Sequence, residues 1–102
     1  MYVSMSRLAI PAERAPELVA AFRNRARLAD SAEGFIDLQV WQSDRDAGDV
    51  VMVSRWSDRG AFTAYMKSAD HKASHSRIAR SLKADITLRK LEHLNTYEVV
   101  AE

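Results

Sequence analysis

The stretch Trp56-Ser57-Asp58-Arg59-Gly60-Ala61-Phe62-Thr63-Ala64-Tyr65-Met66-Lys67-Ser68-Ala69-Asp70-His71-Lys72-Ala73-Ser74-His75 decides how this chain is read. It leaves an apolar strand, passes through one short helix and enters another. Ser57 suits the helix cap, and Asp58 favours the positive end of the helix dipole. Phe62, Tyr65 and Met66 recur at spacings of three and four and so share one face. The helix is expected to break near Ser68-Ala69-Asp70 and to restart. The stretch thus carries an aromatic ring, Tyr65, and an imidazole, His75, toward one region. Elsewhere the chain shows no Gly-rich phosphate loop, no cysteine ligand set and no nucleophile elbow.

Upstream, the run Val50-Val51-Met52-Val53 predicts a strand over Val50–Trp56 that is buried on both faces, as in a central strand or one at a subunit interface. Before it lies the polar segment Ser43-Asp44-Arg45-Asp46-Ala47-Gly48-Asp49, which predicts a hairpin turn. The paired strand is expected over Phe35–Gln42, with Ile36, Leu38 and Val40 on one face. Near the N-terminus, Tyr2–Ile10 reads as a strand. Its alternation puts Val3 and Met5 on one face, and Ser4, Ser6, Leu8 and Ile10 on the other. Ala12–Asp30 reads as a helix with Leu18, Val19, Phe22, Ala26 and Ala29 along its apolar stripe. Pro11 and Pro16 fit only at its start, where the missing N–H is harmless. Downstream, Ser76–Leu94 is ambiguous between helix and extended chain, and Thr96–Val100 reads as a closing strand.

Composition narrows the classes. The 102 residues suit one domain, 1–102, with 47% apolar content for its core. A net charge of +1 argues against nucleic-acid binding by bulk electrostatics. The absence of cysteine excludes disulfides and thiolate metal sites and suits a reducing cytoplasm. The N-terminus lacks signal-peptide character, and no apolar run is long enough to span a membrane. His71 and His75 have the spacing of a metal-binding pair, but Lys72 stands where a zinc motif of this type carries Glu.

The order strand-helix-strand-strand-helix-strand is the ferredoxin-like, split βαβ pattern of the α+β class, with an antiparallel sheet covered by helices on one face. The other sheet face also reads as apolar, so pairing of two sheets in a homodimer is expected. With that order, Trp56 to Tyr65 followed by His71 to His75, and Phe22-Arg23-Asn24-Arg25-Ala26-Arg27-Leu28 followed by Gly34-Phe35, resemble the antibiotic biosynthesis monooxygenase domain of the dimeric α+β barrel superfamily. Within that family the chain is most similar to the haem-degrading monooxygenases of the IsdG type. These carry an Asn on the first strand, a helix Trp and a helix His that ligates the haem iron. The resemblance puts His75 at the ligand position, Tyr65 in place of the Trp and Ser6 in place of the Asn. It implies either haem as cofactor or, as in the polyketide-tailoring members, no cofactor.

The implied catalytic set is therefore Ser6, Tyr65 and His75, with His75, Phe22 and Arg25 holding the cofactor. Arg25 can pair a propionate through its guanidinium fork. Each also has a plainer reading: Phe22 and Tyr65 as packing residues, Arg25 and His75 as exposed helix residues. Trp41 and Trp56 read as packing residues. Three functions compete: an oxygenase acting on haem or an aromatic substrate, a non-catalytic haem or small-ligand binder, and a small protein whose pocket has no chemical role.

Overall fold

A computed structural model describes residues 1–24, 27–69, 87–88 and 95–102. Alternating apolar and small polar residues over Tyr2–Ala9 form strand β1, and its reach positions everything else. Helix α1 spans Ala15–Arg23, strand β2 Phe35–Gln42, β3 Asp49–Trp56 and helix α2 Arg59–Met66. Two short strands follow, β4 at Thr87–Leu88 and β5 at Asn95–Glu98. The antiparallel sheet runs β2-β3-β1, with β4 and β5 both on the far side of β1. This is the ferredoxin-like α+β arrangement expected from the element order.

The registers Tyr2↔Trp56, Ser4↔Ser54, Ser6↔Met52 and Leu8↔Val50 put these eight residues on one sheet face. That face carries the helices. Leu8, Ile10 and Val50 are buried against Ala15 and Leu18 of α1, with Ala21, Phe22 and Val40 packed at the margin. At the other end of the strands, Tyr2 and Trp56 meet Phe62 of α2. Val50 and Val53 are both buried although they point to opposite faces, as expected for a central strand.

Several local features depart from the sequence reading. The closing strand expected over Thr96–Val100 is β5, Asn95–Glu98, and Trp41, read as a packing residue, is exposed. The long helix Ala12–Asp30 is instead a short turn of 3-10 helix at Ala12–Arg14, then α1, then a second 3-10 turn at Leu28–Ser31. The Asn24 side chain donates to the Ala20 carbonyl at 2.9 Å, beside its own backbone N–H, and this terminates α1. Arg27, at φ 57°, confirms that the chain has left helical geometry. The cap of α2 is Asp58 rather than Ser57: its carboxylate accepts from the Ala61 N–H at 2.8 Å, three residues on. Ile36 does not share a face with Leu38 and Val40, because a β-bulge lies between Phe35 and Asp37. The extra residue leaves Ile36 exposed and turns Phe35 toward Trp56.

The hairpin forms as the polar segment predicts. Ser43 Oγ accepts from the N–H groups of Arg45 and Asp46, and Asp46 Oδ1 accepts from Gly48. Gly34 is the tighter constraint. It sits at φ +80°, and a Cβ there would lie 2.5 Å from Ala61 Cβ and 2.6 Å from Ser57 Oγ. The start of α2 thus rests on a position that only glycine fits. Gly34→Ala combines backbone strain with overpacking and should cost about 2 kcal/mol or more, lowering the thermal midpoint by roughly 10 °C. A circular-dichroism melt checks this; an unchanged midpoint contradicts the contact.

Candidate functional site

Helix α2 positions Tyr65. The Asp58 cap sets where the helix starts, and the seven-residue interval to Tyr65 turns that ring toward the sheet with Phe62. Tyr65 stacks on Trp56 with ring centroids 5.3 Å apart and planes 29° apart. Phe35 and Phe62 meet the same indole edge-on, at 5.3 and 5.8 Å. Trp56 is only 1% exposed, and its indole N–H donates to Ser54 Oγ at 2.9 Å. Such a cluster is rigid, because each ring blocks the rotation of the next. Tyr65 stays half-buried at its margin.

Ser6 lies on the helix-covered face, half-buried between Ser4 and Leu8. Phe22 packs at the margin of the α1 core, beside the Leu8–Val50 end of the sheet. Leu8 lies six positions beyond Tyr2 on β1, a distance of roughly 20 Å. Tyr65 and Phe22 therefore flank opposite ends of one sheet face, with Ser6 between them. The structure strings these residues along a strand rather than converging them on a point. His75 and Arg25 lie outside the described residues, as do His71, His93 and all of Ser76–Leu94 except the two residues of β4.

A depression of about 460 Å³ opens between α2 and residues 32–33. Tyr65 lines it together with Ser57, Ala61, Ala64 and Ser68, but Ser6 and Phe22 do not. Of the residues expected around an apolar pocket between helices and sheet, Ser6, Phe22, Tyr65 and His75, only Tyr65 lines this depression. The helix-covered face also carries two buried hydroxyls that the sequence reading did not name as site residues, Ser4 and Ser54. The available signal was the placement of Ser54 two residues before Trp56 on one strand, which puts both on the same face.

Charge is sparse on this face. On the opposite face Arg7 donates to both carboxylate oxygens of Asp49 at 3.0 and 2.7 Å. The hydrogen bonds from Arg7 and the Asp49 charge raise the guanidinium pKa further above its already high value. Among the described residues no three His, Cys, Asp or Glu side chains converge as metal ligands, and no helix is long and apolar enough to cross a membrane.

The model of the antibiotic biosynthesis monooxygenase family matches residues 1–77. The chain belongs to that family. No curated protein matches its sequence. Among solved structures, family member folds superpose over nearly the whole chain. The haem-degrader MhuD from Mycobacterium tuberculosis, solved with two haems in its active site, is 23% identical, with a TM-score of 0.79 over 100% of this chain and 98% of that one. SnoaB, a cofactor-independent oxygenase from Streptomyces nogalater, is 14% identical, with a TM-score of 0.76 over 99% of this chain and 94% of that one. At these identities the likeness establishes the fold of this family member and leaves its substrate open.

Proposed function

We propose that this family member is a monooxygenase acting on a broad planar ligand, haem or a polycyclic aromatic, laid along the helix-covered sheet face. The observation that carries this reading is the placement of Tyr65, Ser6 and Phe22 along that one face. A small substrate would touch one of them; a ligand of macrocycle size can reach several. The residues fit such a group chemically. Tyr65, backed by the immobile Trp56, presents an aromatic edge, Phe22 an apolar wall and Ser6 a hydroxyl. In the haem version His75 is the nitrogen ligand, and Arg25 pairs a propionate. Bound haem would supply the iron that activates oxygen. The chain's own part is to orient the ring plane against Tyr65, to offer the Ser6 hydroxyl as a hydrogen-bond donor and to exclude water.

Titration with haemin tests this. A saturable one-to-one shift of the Soret band is expected, lost in His75→Ala. If His75→Ala binds haemin as tightly as the parent, the ligand assignment falls. If the parent shows no shift, the cofactor-free oxygenase becomes the account. Ser6 favours that second reading, because a hydroxyl on the helix-covered face can stabilise a substrate anion where the longer amide of the haem degraders is absent.

We further propose that the protein works as a homodimer in the cytoplasm. Opposite the helices, Val3, Met5, Val51 and the exposed rings of Trp41 and Tyr97 share one sheet face. The ion pairs Arg7–Asp49 and Arg55–Asp37 edge it. A second copy would cover the apolar part and leave the pairs at the rim. Sedimentation at micromolar concentration should show a dimer, and Trp41→Glu should yield a monomer. A monomeric parent contradicts the pairing.

A further inference from the structure

The geometry points to Ser54 as a positioning residue for the ligand site: its hydroxyl selects the orientation of the Trp56 indole, and that indole sets the plane on which Tyr65 stacks. The inference rests on the reading that Tyr65 faces the ligand. Ser54 and Trp56 are alternate residues of β3 and so point to the same, helix-covered face. Ser54 is buried, and the 2.9 Å bond to its Oγ is the hydrogen bond of the indole N–H. A tryptophan ring rocks within a broad torsional well, and the N–H bond to Ser54 fixes where in that well the ring plane lies. Phe35, Phe62 and Tyr65 pack around the indole, and their π faces are poor acceptors for its N–H. Ser54 thus adds a directional restraint that ring packing does not supply. Tyr65 inherits that restraint, because it stacks on the indole face, planes 29° apart. An aliphatic residue at this strand position would lose it.

The experiment compares Ser54→Ala, which removes the acceptor, with Ser54→Thr, which keeps it. Haemin is the probe, titrated well below the melting temperature of each variant, in parent and Tyr65→Ala backgrounds. In the parent background Ser54→Ala should weaken haemin binding about tenfold, because the Tyr65 surface must then be ordered on binding, while Ser54→Thr stays near the parent. In the Tyr65→Ala background Ser54→Ala should add nothing, because the two residues act as one chain. Equal weakening in both backgrounds, or none in either, overturns the proposal in favour of a purely structural serine.

Near-ultraviolet circular dichroism supplies an arm that needs no ligand. The chain has two tryptophans, so Trp41→Phe leaves Trp56 alone as the indole signal. The Trp56 band should change sign or collapse in Ser54→Ala and persist in Ser54→Thr. If the parent binds no haemin, the haem version of the site fails and this band alone decides Ser54: a band unchanged in Ser54→Ala overturns the positioning role, and a lost band restored by threonine supports it.

Discussion

Trp56→Ala should remove about 3–5 kcal/mol of folding stability, the range for emptying a buried aromatic site. The expectation follows from the contacts of a ring that is 1% exposed: it joins Phe35 on β2 to Phe62 and Tyr65 on α2. No neighbour can collapse into the space without moving the helix. A domain of this size has only about 5–15 kcal/mol in total, so the variant should lose roughly a fifth of its stability or more. The thermal midpoint should fall by roughly 15 °C or more. Trp56→Phe keeps most of the volume but loses the N–H bond to Ser54, so its fall should be smaller. Urea unfolding followed by far-ultraviolet circular dichroism checks both. A Trp56→Ala midpoint within a few degrees of the parent would show that α2 docks through some other contact.

Combining Ser6→Asn with Tyr65→Trp should raise haem breakdown by about a hundredfold over the parent, if haem is the ligand, since one added transition-state hydrogen bond is worth on that order. Neither position is fully buried. Ser6 is half-buried rather than packed shut, and Tyr65 borders the depression beside α2. The longer amide reaches further over the face than a hydroxyl, and the larger indole presses harder on a bound ring. Decay of the Soret band with an added chemical reductant measures the rate. The same pair combined with His75→Ala should show no breakdown. A double variant that binds haem as tightly as before but turns it over no faster sinks the idea that Ser6 and Tyr65 stand at the positions that limit the chemistry.

Much of the scaffold was legible because it depends on short-range rules. The alternation of Tyr2 to Ile10 identified the covered face of β1, and Ser6 falls on the side its period assigns. The apolar run of β3 announced a strand enclosed on both sides, which the burial of Val50 and Val53 bears out. Phe62 and Tyr65 share a face because helical spacing compels it. Errors arose where a single competing interaction overrides the periodic signal. Asn24 turning back onto Ala20 ends a helix that Ala26 and Ala29 would continue by pattern. The bulge at Ile36 reverses the phase of one residue, and alternation carries no sign of it.

By itself the sequence determined the family, the order of the main elements, the phase of β1 and the residue types offered to a ligand. The family followed from the resemblance of Trp56–Tyr65 and Phe22–Leu28 to its motifs, and the rest from periods of 2 and 3.6, which are local properties of the chain. Only the tertiary structure decided which rings touch. That Tyr65 stacks on Trp56, that Trp56 is held by Ser54, and that Phe22 lies toward the other end of the sheet depend on strand register and helix docking. Register and docking are settled by packing between segments distant in sequence, and pairwise contacts of that kind leave no mark in the spacing of either segment alone.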